Sequence, residues 1–139
     1  MKNFREITSY EKACEYQGLD PATLLPDVSK MPASHAGLGR SNVAYTKLCV
    51  IRDSIVKKED GTIPKANFHD TDEEKWRNWM EVEATEEVPS GVGLSFNGPV
   101  IGISITVVPA RLLCQTEEQS EFFFTEHKAL WEEYILHRD

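Results

Sequence analysis

The sequence predicts an α+β fold, in which a three- or four-stranded antiparallel meander packs against two main helices, one central and one C-terminal, with short helices at the N-terminus. Helical patterns lie at 9–17, after Asp20, within 33–58 and at 116–138, a period of two begins at Lys75, and strand and helix patterns do not alternate along the chain. The 139 residues are enough to bury one core, so a single domain over 1–139 is expected.

Two short helices are predicted near the N-terminus. Thr8 and Glu11 have the spacing of a capping box, which predicts a helix over 9–17 with Gly18 as its stop. Asp20-Pro21 is a second start signal, because Asp caps helices well and Pro suits the first helical position.

Apolar residues at helical spacing predict the longest helix within 33–58. They form one stripe, which consists of Ala44, Leu48, Ile51 and Ile55. Gly37 and Gly39 each cost about 1 kcal/mol in a helix interior. We therefore expect two loose turns and a firm start near Ser41. The polar residues 60–74 predict a surface loop of a length that is often mobile or functional.

Alternation over 75–84 predicts the first strand of the meander, with Trp79 as the one aromatic residue on its charged face. Turn residues and β-branched runs predict the other strands of the meander. A turn at 88–91 leads to a strand at 92–96, and a hairpin turn at Asn97-Gly98 leads to a strand at 100–108. Residues 111–115 should be a fourth strand or a continuation of the third, which Pro109 interrupts.

A capping box at 116–119 predicts the start of the last helix. Its inner face should consist of Phe123, His127, Leu130, Trp131, Tyr134 and Ile135. Three consecutive Phe residues cannot all face one core, so we expect Phe122 to be exposed or to lie at an oligomer contact.

Charge and cysteine content exclude several classes of protein. The net charge is −8; residues 1–69 carry a net +2 and residues 70–139 a net −10. An acidic half repels phosphate backbones, so we do not expect nucleic acid as a partner; the charge suits solubility or a basic partner. Three widely spaced Cys without a CxxC pair indicate buried free thiols in a reducing compartment. No apolar run is long enough to span a bilayer, and no secretory signal is visible.

Several segments, in the same order, resemble a group of small uncharacterised proteins of gut Bacteroidetes and of their phages and prophages. They are 7–14, 18–21, 25–29, 44–51, 79–82, 91–96 and 111–114. The resemblance implies a bacterial cytoplasmic or phage setting, with virion association as a further option. It implies no catalytic residue, because the group has no established activity. Over 62–79 the group is more aromatic, whereas this chain has the acidic run 70–74.

Two segments are candidate ion sites. Residues 35–41 combine Gly, Arg and Ser ahead of a helix and could cradle an anion, but they lack P-loop spacing, which favours a flexible start of the helix. Asp70–Glu74 offers oxygen ligands for Ca²⁺ or Mg²⁺, but the glycine of an EF-hand loop is missing, which favours a solvated loop. No metal and no cofactor is expected.

Catalytic groups give no stronger signal. No two of the four histidines are spaced as a zinc-binding pair; they are His35, His69, His127 and His137. Cys49 or Cys114 could form a dyad with His127 through tertiary contact alone. Glu81 and Glu83 share one strand face about 7 Å apart, an arrangement that is common on solvated strands.

Trp79, an aromatic residue among charges, is the main binding candidate, together with Arg77, Glu81 and Trp76. The alternative is a Trp covered by the 60–74 loop or by a helix. The sequence thus favours a non-enzymatic binding or interaction module of phage or mobile-element origin, which contacts a protein partner or a second copy of itself. The alternatives are a minor virion or assembly component, and a small hydrolase or nucleotide-processing enzyme.

Overall fold

A computed structural model of the chain describes residues 3–66, 70, 72–84, 92–102 and 110–136, and at 79–84, 92–102 and 110 it describes the backbone. The described part is mainly helical. Its helices are α1 (Tyr10–Gln17), α2 (Pro21–Leu24), α3 (Ala36–Val56), α4 (Glu117–Glu126) and α5 (Lys128–Leu136). Two antiparallel strands, β1 (Lys75–Ala84) and β2 (Val92–Gly102), form what we call the β1–β2 ribbon. Single 3₁₀ turns lie at Phe4–Glu6, Ala33–His35 and Ala110–Leu112.

The predicted three- or four-stranded meander is wrong, and with it the α+β assignment. Asn97-Gly98 makes no hairpin turn, because both residues lie inside β2. Trp79 pairs with Gly98 and Met80 with Phe96, so Asn97 is one extra residue in the ladder. Pairing with β1 on both sides of Asn97-Gly98 outweighs the local turn preference, and the strand absorbs the dipeptide as a β-bulge. Two predicted strands are therefore parts of one.

The proposed fourth strand is also wrong. Residues Ala110–Leu112 form a 3₁₀ turn, and beyond it Cys114 makes one isolated antiparallel bridge to Trp76. The expected turn at 88–91 and the end of the strand predicted over 100–108 fall outside the described residues.

The N-terminal helices confirm the sequence prediction to within one residue. The cap of α1 is Ser9 rather than Thr8, since the Ser9 hydroxyl accepts a hydrogen bond of 3.1 Å from the Lys12 amide. Gly18 ends α1 with a φ of 70°, a conformation that glycine adopts without strain. Asp20 caps α2 by accepting from the Ala22 amide at 3.1 Å.

The central helix α3 begins at Ala36, five residues before the expected firm start at Ser41. Gly39 is buried there, and a Cβ at this position would lie 2.8 Å from Met31 Sδ and 3.2 Å from Val28 Cβ. The glycine allows the connector 25–32 to pack closely against α3, and tertiary packing thereby offsets its poor helix propensity. The predicted stripe is confirmed: Ala44, Leu48, Ile51 and Ile55 are all buried.

The predicted C-terminal helix is two helices, α4 and α5, separated at His127. Thr116 caps α4 by accepting from the Gln119 amide at 3.2 Å, as the capping box predicts. Phe123 and Trp131 are buried with ring centroids 5.1 Å apart, whereas Ile135 is exposed rather than on the inner face. The core lies where α3 packs against α1, α4 and α5, and α4 also packs on both strands of the ribbon.

Candidate functional site

The base of the β1–β2 ribbon is tied to the helical body at two residues of β1. Trp76 exchanges two backbone hydrogen bonds of 2.9 Å with Cys114, and its half-buried ring packs against the core. Asn78 is buried, and its Oδ1 accepts a hydrogen bond of 2.9 Å from the Ser120 hydroxyl of α4. The ribbon thus starts from a fixed base rather than from a flexible loop.

A buried cation adjoins this base. Lys75 is 2 % exposed, and its Nζ donates at 3.1 Å to the backbone carbonyls of Asp70 and Glu73. The Glu73 carboxylate lies 3.6 Å from the same ammonium. The Lys75 ammonium therefore binds oxygen atoms of Asp70 and Glu73, which belong to the segment 70–74 that the sequence predicted as a possible Ca²⁺ or Mg²⁺ site. Among the described residues, no group of three or more His, Cys, Asp or Glu is arranged to hold a metal ion.

The four binding candidates all lie on β1. Arg77 pairs with Val100, Trp79 with Gly98 and Glu81 with Ser95. The Arg77 Nε is shielded from solvent and finds no hydrogen-bond partner within the described part of the chain. Trp76 belongs to the ribbon base. The side chains of Trp79, Glu81 and Glu83 lie outside the description.

The two long edges of the ribbon differ. The backbone N–H and C=O of Trp76 bond to Cys114 and thus point away from β2. Along a strand, the backbone groups of successive residues point alternately to its two sides. Those of Asn78, Met80 and Val82 therefore point away from β2 as well. Within the described ranges, Cys114 is the one residue that makes backbone hydrogen bonds to this outer edge.

The outer edge of β2 is interrupted by a proline. Pro99 pairs with Asn78, whose backbone groups point away from β2, so the backbone nitrogen of Pro99 faces away from β1 in turn. Proline has no N–H to donate, and natural proteins use it to block a sheet edge. The edge of β1 is therefore the better template for a further strand.

An arginine that the sequence places beside the stripe of α3 connects this helix to the ribbon base. Arg52 is buried; its Nε donates to the Leu113 carbonyl at 2.6 Å and its Nη1 to Asp53 Oδ1 at 3.0 Å. Arg111, which is largely exposed, lies 3.6 Å from the other Asp53 oxygen. Together with Lys75, Arg52 borders a cavity of about 10 Å³, the size of a single water molecule. Sequence reasoning missed Arg52 and Lys75, since a charged residue at such a position normally reaches solvent.

Residues of the candidate anion site at 35–41 make contacts with other residues of the same chain. Arg40 and Ser41 lie inside α3, where backbone amides bond to the preceding turn. The Ser41 hydroxyl donates to the Tyr134 carbonyl at 2.6 Å, and Arg40 Nε lies 2.9 Å from a Glu133 carboxylate oxygen. These contacts join α3 to α5 and give the residues a packing role.

The candidate nucleophiles are buried, as predicted for free thiols. Burial raises the pKa of the Cys114 thiol to about 12, and it also raises the pKa of Cys49. A high pKa reduces the thiolate fraction at neutral pH, and the thiolate is the nucleophile.

His127 is committed to a structural contact. Its Nε2–H donates to the Ile7 carbonyl at 2.9 Å, and burial lowers the pKa of its imidazole. Phe122 packs edge to face against Phe4, with centroids 5.6 Å apart, and lies 6.0 Å from the His127 ring. Phe122 is thus half-buried against Phe4 and His127 of the same chain rather than fully exposed. His35 is exposed, and His69 and His137 are outside the described residues.

No helix of the described part is long and apolar enough to cross a membrane. No protein-family model, no curated protein and no solved structure matches the chain.

Proposed function

We propose that this protein is a non-enzymatic binding module whose contact surface is the β1–β2 ribbon beyond its base. The observation that carries the proposal is the outer edge of β1. This edge extends from the fixed ribbon base. The outward backbone groups of β1 from Asn78 onward have no backbone partner among the described residues. Such an edge can bind an extended segment of another chain, with main-chain hydrogen bonds for affinity and neighbouring side chains for selectivity.

The remaining chemistry of the chain supports binding over catalysis. Cys49, Cys114 and His127 are buried and engaged in packing or in an internal hydrogen bond. Arg52 and Lys75, the buried cations, are held by carbonyl and carboxylate oxygens of the same chain. These groups stabilise the fold around the ribbon base.

A protein is the partner class that fits best. The net charge of −10 over residues 70–139 repels a phosphate backbone, and these residues include the whole ribbon. The resemblance to proteins of gut Bacteroidetes and their phages adds a setting in the bacterial cytoplasm and an origin in a phage or mobile element.

Trp79→Ala tests this proposal, with Trp76→Ala as the matched control. We expect Trp79→Ala to keep the Tm nearly unchanged and to abolish capture of a partner from an extract of a gut Bacteroidetes strain, measured by quantitative mass spectrometry. Trp76→Ala should lower the Tm, because Trp76 packs against the core. If Trp79→Ala instead unfolds the domain, or if it captures the same proteins as the parent chain, the binding surface lies elsewhere.

A further inference from the structure

The water-sized cavity beside Arg52 and Lys75 lies where several parts of the chain meet. Helix α3 contributes Arg52, β1 begins there with Lys75, and the segments 64–66 and 113–115 supply further walls. Its volume of about 10 Å³ admits an occupant close to the size of one water molecule and excludes a polyatomic group such as phosphate. Lys65, which is exposed, also lines the cavity, so the occupant can exchange with solvent.

Arg52 brings hydrogen-bond donors to this cavity that the fold does not use. Its side chain is 3 % exposed, and a guanidinium carries N–H donors on each of its nitrogens. The Nε donates to the Leu113 carbonyl and Nη1 to Asp53, whereas Nη2 makes no hydrogen bond within the described part of the chain. A donor on a buried side chain needs an acceptor, because an unpaired one costs free energy. The occupant of the cavity must therefore accept hydrogen bonds.

The two carboxylates that line the cavity already have donors of their own. A Glu73 oxygen lies 3.6 Å from the Lys75 ammonium. A Glu74 oxygen accepts a hydrogen bond of 3.4 Å from Trp76 Nε1. These contacts occupy the negative groups of the wall with cations and donors of the same chain. They leave the Arg52 Nη2 as a donor in search of an acceptor.

The charge of the wall indicates what kind of acceptor fits. Three cations line the cavity against the two carboxylates, a net charge of +1; the cations are Arg52, Lys65 and Lys75. Asp53 and Arg111, the charged groups in contact with one another beside Arg52, cancel each other. A water molecule would leave the net charge uncompensated, whereas a monovalent anion neutralises it.

We propose that this cavity is a binding site for a monatomic, monovalent anion and that chloride is its ligand. Arg52 donates hydrogen bonds to the anion, and the ammonium groups of Lys65 and Lys75 supply positive charge around it. The inference goes beyond the proposed binding function, because it concerns the base of the ribbon and not the outer edge of β1. An anion held between α3 and the segments 64–66 and 113–115 stabilises the base from which the ribbon extends.

Thermal unfolding in two salts tests for the ligand. Sodium chloride and sodium isethionate can be matched in ionic strength, but the isethionate anion is too large for a cavity of about 10 Å³. We expect the Tm to be about 4 °C higher in chloride, at about ten times its Kd, than in isethionate. Chloride NMR measures binding directly, because the full-length protein should broaden the chloride resonance in proportion to its concentration.

Three variants test the location of the site. Arg52→Met should raise the chloride Kd by at least about tenfold, because it removes the charged donor. Lys65→Gln removes an exposed charge at the cavity and should raise the Kd about threefold without unfolding the chain. Lys30→Gln makes the same change at an exposed residue that does not line the cavity and should leave the Kd unchanged.

The outcomes decide between chloride and water. Equal Tm values in the two salts, or a chloride resonance that stays sharp, would overturn the proposal and leave water as the occupant. Chloride binding that persists unchanged in Arg52→Met would place the anion elsewhere and would also overturn it. If Arg52→Met does not fold, Lys65→Gln decides, since an unchanged Kd there rules out this cavity. None of these results depends on capture of a partner through Trp79, so the binding function of the ribbon is tested separately.

Discussion

Replacing Arg52 by methionine tests the buried hydrogen bonds of this side chain, the main one of which joins the central helix to the ribbon base. Methionine keeps most of the aliphatic stem, so the packing volume changes little. The substitution removes the Nε donor of the 2.6 Å bond to the Leu113 carbonyl and the Nη1 contact of 3.0 Å to Asp53. The carbonyl is then buried without this partner.

The expected loss follows from the burial of this bond. A buried hydrogen bond from a charged donor contributes about 1.5–3 kcal/mol, and an orphaned carbonyl adds a desolvation cost. We therefore expect the free energy of unfolding to fall by about 2–4 kcal/mol, or the Tm by roughly 6–12 °C for a chain of this size.

Arg111→Met is the matched control, because Arg111 pairs with the same carboxylate from an exposed position. Its side chain is 67 % exposed and lies 3.6 Å from Asp53. Exposed ion pairs contribute about 0–1 kcal/mol, so this variant should lose less than about 1 kcal/mol. Urea unfolding followed by circular dichroism gives both values if the denaturant slope stays constant. Equal losses in the two variants would refute a specific role for the buried bond.

Three further predictions concern the caps and the buried titratable groups. Ser9→Ala should cost about 1 kcal/mol in urea unfolding and Thr8→Ala almost nothing; equal costs would contradict the assignment of the cap. Burial lowers the pKa of His127, so the unfolded chain takes up its proton first and stability falls as the pH drops below about 6.5. His127→Gln should flatten this loss between about pH 7 and 5, and an unchanged slope in thermal melts would refute it. Burial raises the pKa values of Cys49 and Cys114, so an aromatic disulfide reagent should react slowly with the native thiols and fast in denaturant. Rapid reaction of the native chain would show that these thiols are exposed.

The sequence predicted those elements whose signals are local. The Gly18 stop, the Asp20 cap and the Thr116 cap each depend on residues two to four positions apart, and the structure confirms all three. The buried stripe of α3 was predictable for a similar reason, because helical periodicity alone places its members on one face. Strand β1 followed from alternation over ten residues.

Sequence reasoning failed where a local preference competed with distant partners. Asn97-Gly98 favours a turn in isolation, yet pairing with β1 on both sides holds it in one strand. Lys75 was placed on a solvated face, but the carbonyls of Asp70 and Glu73 bring it inside. The candidate site shows the same contrast. Trp79, Arg77 and Glu81 were predicted from the sequence, whereas the sequence did not show that the outer edge of β1 beyond Trp76 has no backbone partner among the described residues.

Composition, caps and periodicity determined on their own that this acidic chain forms a central helix, an amphipathic strand and a C-terminal helical segment. Only the tertiary structure decided that the C-terminal segment breaks at His127, where the ring bonds to Ile7 more than a hundred residues away. It also decided that the β2 edge is interrupted by Pro99 and that, among the described residues, only Cys114 bonds to the outer edge of β1, because both depend on the bridge from Cys114 and on the register that places Pro99 opposite Asn78. Backbone pairing carries no side-chain signature in the sequence, so its partners become known only once distant segments meet.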